Sequence, residues 1–157
     1  MANLVSNVVP GDISTAWNVA LAAGDWVLNG PQLQSGSDLE TAVLISVFTD
    51  RQAEAGDVIP DGTSDRRGWW GDAGELYPIG SRIWLLARAK QTTQTLNLAN
   101  DYLVEALQWM IDDGVVASFN ISTYWVAPGT LGAVVTANQP GGSNETMQFS
   151  WTWSGIN

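Results

Sequence analysis

The side chains able to do chemistry in this sequence are carboxylates, arginines and indoles. Among 157 residues there is no cysteine and no histidine, against sixteen acids, six bases and nine tryptophans. Thiolate nucleophiles, disulfides, zinc fingers, imidazole bases and Ser–His–Asp triads are therefore excluded. What remains is carboxylate chemistry. A pair such as Asp72 and Glu75 has the residue types for glycoside hydrolysis, which needs no imidazole. Asp57, Asp61 and Asp65 suggest a calcium loop, but they lack the alternating ligand spacing of an EF-hand. Any acidic chain offers such groupings, so neither carries an activity, and no enzyme, cofactor or metal is expected.

The arginines and tryptophans are more informative. All six bases (Arg51, Arg66, Arg67, Arg82, Arg88 and Lys90) lie between positions 51 and 90, which also hold six acids and are neutral. Residues 1–50 and 91–157 carry −5 each without a cation, which makes up the net −10. Such a chain is repelled by nucleic acid backbones and anionic membrane surfaces, so neither is an expected partner. An arginine fork holds carboxylates or carbonyls in a fixed orientation, and tryptophan offers large contact area at little rotamer cost. Gly68 and Gly71 flank the Trp69–Trp70 pair and allow turns that aim the rings differently. One reading makes Arg66, Arg67, Gly68, Trp69, Trp70, Gly71 and Asp72, with Gly80, Ser81, Arg82 and Trp84, a docking element for another protein. The other has the tryptophans pin a long loop to the chain's own core, with Arg82 as an internal salt bridge. Residue types leave both open.

The elements that must position these groups follow from periodicity. Residues 1–36 read as an N-terminal arm, flexible over 1–11, with a possible hairpin: Ile13–Val19 and Trp26–Leu28 are strand-like and Ala22–Asp25 a turn. Residues 37–157 read as a single α+β domain. Ser37 to Glu40 fits a capping box ahead of a buried helix running to Phe48. Asp50–Gly68 has no periodicity and reads as a long loop with a job to do. Arg82–Lys90 suggests a short helix. Leu96, Ala99, Leu103, Ala106 and Met110 recur at three- and four-residue spacings and define a longer one, ended by Gly114. The period then becomes two. Phe119, Ile121 and Trp125, then Leu131, Ala133 and Val135, then Met147, Phe149, Trp151 and Trp153 give a three-stranded antiparallel meander with one apolar face. The fold class expected is α+β, with helices on one face of a small antiparallel sheet. Trp151 and Trp153 read as core residues before they read as a sugar-stacking platform. No run of apolar residues approaches the ~20 needed to span a bilayer, and Met1–Val5 does not begin a signal peptide.

Two segments resemble a known family. Leu44–Arg51 leads through Pro60-Asp61-Gly62 to Asp65-Arg66-Arg67-Gly68-Trp69-Trp70-Gly71-Asp72. Gly80-Ser81-Arg82-Ile83-Trp84-Leu85-Leu86 follows, then Glu105–Trp109. In order and spacing, residues 38–114 are similar to the small baseplate wedge proteins of Mu-like contractile-tailed phages, relatives of the sheath-initiating wedge family of T-even phages. In that family Gly80-Ser81-Arg82 looks like the counterpart of a short Pro/Ser-Arg element. The resemblance implies a structural subunit of the virion's tail baseplate, assembled in the host cytoplasm in six copies. Its implied partners are other wedge subunits and hub or tube-proximal subunits, with the tail sheath as a further candidate. The competing class is a carbohydrate-binding or cell-wall glycosidase-like tail protein, and a third is an acidic nucleic-acid mimic.

Overall fold

The computed structural model describes residues 11–152. The expected arm over residues 1–11 falls almost wholly outside them, as does Trp153. Within them the architecture is α+β, as the periodicity requires. Two small hairpins come first: β1 (Thr15–Asn18) with β2 (Ala23–Trp26), and β3 (Leu28–Asn29) with β4 (Gln32–Leu33). Helix α1 (Asp38–Phe48), a long irregular excursion, helix α2 (Thr93–Asp112) and the meander of β5 (Ser118–Ala127), β6 (Thr130–Asn138) and β7 (Asn144–Thr152) complete the order.

Helix α2 forms where the 3.6-residue stripe lies. Thr92 caps its start, accepting from the Thr95 amide at 3.2 Å, and Gly114 leaves it at φ 72°. Its buried face, centred on Ala99, Leu103, Leu107 and Met110, lies on the inner face of the sheet. Leu131, Ala133, Val135, Met147, Phe149 and Trp151 meet it there. Each large aliphatic side chain so buried contributes roughly 1.5–3 kcal/mol. Trp151 is therefore a core residue. Polar groups of α2 also serve β5: Asn100 donates to the Ile121 carbonyl at 3.0 Å, and Thr123 donates to the Leu96 carbonyl at 2.9 Å. On the outer face a Cβ at Gly132 would come within 2.7 Å of the Tyr124 ring on the neighbouring strand. The glycine thus lets that ring lie flat across the sheet.

Three local expectations need correction. The capping box does not form: Ser37 has φ −106°, ψ 51° and makes no side-chain cap bond. Capping requires extended backbone at that position. Instead Asp38 accepts from the Asp12 amide and ties the arm down. Burial, and then the Glu145 charge, raise the Glu40 carboxyl above its ordinary value. The first turn sits three residues earlier than expected, because Asn18 accepts from the Leu21 amide at 3.0 Å and Ala22 takes φ 48°. The expected Arg82–Lys90 helix is only a 3-10 turn, Ile83–Leu86, whose buried Ile83, Trp84 and Leu86 face the core.

The hairpin arm is fastened by aromatic stacking. Trp17 of β1 lies 3.8 Å from Phe48 between centroids, and Phe48 stacks on Trp151 at 5.0 Å. The Ser150 hydroxyl accepts from Trp17 Nε1 at 3.4 Å and donates to the Val19 carbonyl at 2.9 Å. The Thr41 hydroxyl donates to the Ile13 carbonyl at 2.9 Å. The outer strand β7 is thus covered near Ser150 by the N-terminal hairpin. Trp17→Ala should lower unfolding stability by roughly 3 kcal/mol and expose residues 19–36 to limited proteolysis before the core unfolds. Urea melts and mapping of the first cleavage sites measure both.

Candidate functional site

Two backbone hydrogen bonds organise the middle of the chain. Where α1 ends, the Thr49 carbonyl accepts from the Ser81 amide at 2.9 Å, and the Arg51 amide donates to the Ser81 carbonyl at 3.0 Å. Asp50 and Ser81 thereby form a parallel bridge that closes the excursion between them. Gly80 is required there: it sits at φ 99°, and a Cβ would fall 2.3 Å from the Thr49 carbonyl oxygen. The buried Ser81 hydroxyl donates to the Val47 carbonyl at 2.7 Å, satisfying an acceptor in the last turn of the helix. Trp84, also buried, donates from Nε1 to the Arg51 carbonyl at 2.9 Å.

Above this base the arginines face inward. Arg82 donates from Nε and Nη2 to both oxygens of Glu105 on α2, at 2.9 and 3.1 Å, and from Nη1 to Asp57 at 3.0 Å. Its guanidinium also lies 4.8 Å from the centre of the Tyr102 ring. Burial opposes the Arg82 charge, but the bonds to Glu105 and Asp57 outweigh it and hold the proton above the ordinary arginine value. The Tyr102 phenol is pushed up by burial first and by the nearby Asp57 charge second. Asp57 accepts a second bond from the Glu54 amide at 2.7 Å, so the acidic loop is folded around this one cation. Arg51 donates to the Pro78 carbonyl at 3.2 Å and lies 3.7 Å from Glu105.

Arg66 and Arg67 secure the returning limb. The Ala53 amide donates to the Arg66 carbonyl at 2.9 Å, and the Arg66 guanidinium donates to the Ala53 carbonyl. Arg67 takes φ 51°, unusual for a residue with a Cβ. Its amide donates to Asp65, and its guanidinium bonds Asp50 at 2.8 Å while lying 4.4 Å over the Trp84 ring. That cation–π contact fixes the limb against the 3-10 turn.

The site residues expected from sequence therefore divide. Gly80, Ser81 and Trp84 are buried, and Arg82 is engaged by two carboxylates and a ring, so these four hold the surface rather than form it. Arg66, Arg67, Gly68, Trp69, Trp70, Gly71 and Asp72 line or border a shallow groove that also takes in Gln52 and Pro78. Both indoles reach the surface, 5.4 Å apart and tilted by 46°. Trp69 lies on the Gly71 backbone, where a Cβ would come within 2.2 Å of the ring, and Trp70 is 83% exposed. Asp72 accepts from the Ile79 amide at 3.0 Å and closes the turn that follows. Sequence reasoning missed Leu76 and Tyr77, 88% and 76% exposed on that turn, and it missed Glu105 as the principal anchor. Position was the available signal for Glu105: it stands three residues after Tyr102 on the flank of the apolar stripe.

The alternative chemistries find little here. Asp57, Asp61 and Asp65 serve three separate local purposes: Asp57 binds Arg82, Asp61 caps Thr63, and Asp65 holds the Arg67 amide. Among the described residues no three acids converge as a metal site would require. One oxygen of Asp72 is occupied by a backbone donor, which suits a turn better than an acid–base pair.

Removing Arg82 would leave the largely desolvated Asp57 without its cation and Glu105 with the longer Arg51 contact at 3.7 Å. Because all three side chains keep some access to water, Arg82→Ala should cost about 2–4 kcal/mol, and Arg82→Lys should recover only part through loss of the two-pronged bond. Chemical denaturation of the isolated protein measures both. A loss below about 0.5 kcal/mol would show the cluster to be a solvated surface ion pair.

Comparison with known proteins adds the lineage. The sequence profile of the family described as Phage protein GP46 matches residues 39–144, more than half of the chain. The chain is 39% identical over 145 residues to the protein named Baseplate protein gp46 of Escherichia phage Mu, covering 92% of this chain and 99% of that protein. It is 34% identical over 144 residues to the Mu-like prophage FluMu protein gp46 of Haemophilus influenzae, covering 91% and 98%. The matched span takes in α1 from its second residue, all of α2 and the whole arginine-centred clasp, and on these grounds the chain belongs to the phage protein GP46 family.

Proposed function

We propose that this protein is a structural subunit of the tail baseplate of a contractile-tailed, Mu-like phage, a wedge-type component that fixes geometry between a tube-proximal ring and the surrounding wedge without catalysis of its own. The baseplate role is supported by membership of a family that includes a named baseplate protein over nearly the whole length of both chains. The observation that carries the physical reading is the division of labour in the middle segment. Arg51, Arg66, Arg67 and Arg82 are engaged within the chain, and the rigid excursion they create presents Trp70, Leu76 and Tyr77 outward. Exposed aromatic side chains on a fixed base are the kind of anchor that dominates protein–protein binding energy. Burying Trp70 against a neighbour would also explain why so large an apolar side chain stands exposed. The same reading places six copies around the tail axis, as the family resemblance implies. It predicts no direct nucleic-acid contact from a chain of net charge −10. Among the described residues no helix is long and apolar enough to cross a membrane.

A carbohydrate-binding role draws less support, because Trp151 is enclosed in the core and the Asp72–Glu75 region is shaped by backbone hydrogen bonds. Initiation of the sheath is a finer proposal, and the observation that favours it is the position of β7 at the edge of its sheet, paired among the described residues on one side, with β6. A sheath subunit could add a strand along Asn144–Gln148, where the N-terminal hairpin does not reach its partners.

Trp70→Ala, alone or with Leu76→Ser and Tyr77→Ser, should leave unfolding stability within about 0.5 kcal/mol. The same variants should weaken co-purification with co-expressed baseplate proteins by roughly tenfold or more. Unchanged recovery of the partners would remove this surface from the interface. Met147 faces the core, so the β7 edge is best tested at Thr146: Thr146→Pro should block strand addition and shorten or abolish sheath in assembled particles while baseplates still form. Sheath of normal length on those baseplates, seen by electron microscopy, would exclude the β7 edge as its seed.

A further inference from the structure

A second groove lies on the other side of Pro78, along the C-terminal half of α2. Its floor and walls are the Val104 and Trp109 side chains with Tyr77 and Pro78, and its length is marked by Asp101, Glu105, Asp112 and Asp113. Val104 and Trp109 are 47% and 36% exposed, although they stand on a helix whose opposite face is fully enclosed. The acids are not balanced from within. Glu105 is taken by Arg82 and Arg51, whereas Asp101, Asp112 and Asp113 make no ion pair among the described residues. Asp112 and Asp113 also stand at the end of the helix where the peptide dipoles already place partial negative charge. A chain that keeps two carboxylates there accepts a local electrostatic cost that an external cation would reverse.

The acids are spread along the helix rather than gathered at one point, and among the described residues no three of them form a metal-binding group. From Asp101 to Asp113 the helix rises about 18 Å, so a small cation cannot bridge them, but a peptide segment can. We propose that this groove holds a cationic segment of a neighbouring baseplate polypeptide, with an apolar side chain seated on Val104 and Trp109 between lysines or arginines that pair with the flanking aspartates. Charge decides between a separate polypeptide and a second copy of this chain. Copies carrying −10 each repel one another, whereas a basic segment is drawn to the groove and steered along it. Arg51 makes the groove continuous with the docking surface already described, because it binds both the Pro78 carbonyl and Glu105. The inference rests on the baseplate reading for the identity of the neighbour, but the groove's preference for a basic, apolar segment stands on its own chemistry.

Two measurements test it. In the first, fluorescence anisotropy follows a labelled peptide of about twelve residues in which lysines flank a leucine pair, beside a glutamate-for-lysine control and a serine-for-leucine control. The lysine–leucine peptide should bind, more weakly as salt rises, and both controls should bind at least roughly tenfold more weakly. The triple variant Asp101→Asn, Asp112→Asn, Asp113→Asn and the single variant Val104→Ser should each reduce binding of the parent peptide while circular dichroism remains unchanged. Equal binding of the serine control, or indifference to the triple variant, would overturn the proposal. In the second, a photo-crosslinking residue replaces Val104 or Trp70 in protein co-expressed with its baseplate neighbours. A crosslink from position 104 to a basic stretch of another polypeptide supports the inference. A crosslink from position 70 alone overturns it and leaves the baseplate reading standing, a crosslink from 104 to a second copy of this chain overturns the choice of partner, and crosslinks from neither position overturn both readings.

Discussion

The middle third of this protein depends on one guanidinium. Arg82 binds Glu105 with two nitrogens, Asp57 with a third, and covers the face of Tyr102. Those contacts join three pieces of chain at one point: the 3-10 turn, the acidic loop and the central helix. A partly buried ion pair of this kind adds little net stability compared with an apolar replacement, because desolvation offsets much of the Coulomb attraction. Its value lies in direction. An apolar plug could fill the same space, but it would not set the angle at which the loop leaves the core, and a fork bound to a planar carboxylate does.

The rest of the excursion follows that anchor in order. The Asp50–Ser81 bridge fixes its base, Arg67 locks the returning limb between Asp50 and Trp84, and the Asp72–Ile79 bond shapes the far turn. Charged residues thereby work as internal fasteners, and the apolar residues Trp70, Leu76 and Tyr77 stand outside. This reverses the usual partition of a soluble domain and makes sense for a part whose outward face is completed by another subunit.

Much of the fold was legible in the sequence because it rests on periodicity. The stripe from Leu96 to Met110 and the alternation from Phe119 through Trp151 each repeat over enough residues for one pattern to prevail, and both elements form where those patterns lie. Short-range signals were less reliable. Ser37 has the side chain of a cap, but its backbone is set by the arm behind it, where Asp38 reaches Asp12. The 3-10 turn at Ile83–Leu86 ends well before the Thr92 cap of α2, so the stretch read as one helix is divided between a turn and a connection. For the site, residue types located the right region but did not say which side chains face outward. Arg82 and Trp84 have the same composition signature as Arg66 and Trp70. What separates them is the Glu105 carboxylate, twenty-three positions from Arg82 on the central helix, and the Arg51 carbonyl that takes Trp84 Nε1, contacts that only the tertiary fold creates.

The Asp50–Ser81 bridge has an evolutionary corollary. Because the excursion is closed at its root by backbone bonds and held along its limbs by Arg66, Arg67 and Arg82, the short turn between Asp72 and Pro78 is spared those ties. Closing a longer flexible segment across the same root adds only about 0.6 kcal/mol for each doubling of its length. Insertions, deletions and wholesale replacement of the tip can therefore accumulate without unfolding the domain, so one scaffold can be refitted to different neighbours while its helices and sheet stay as they are.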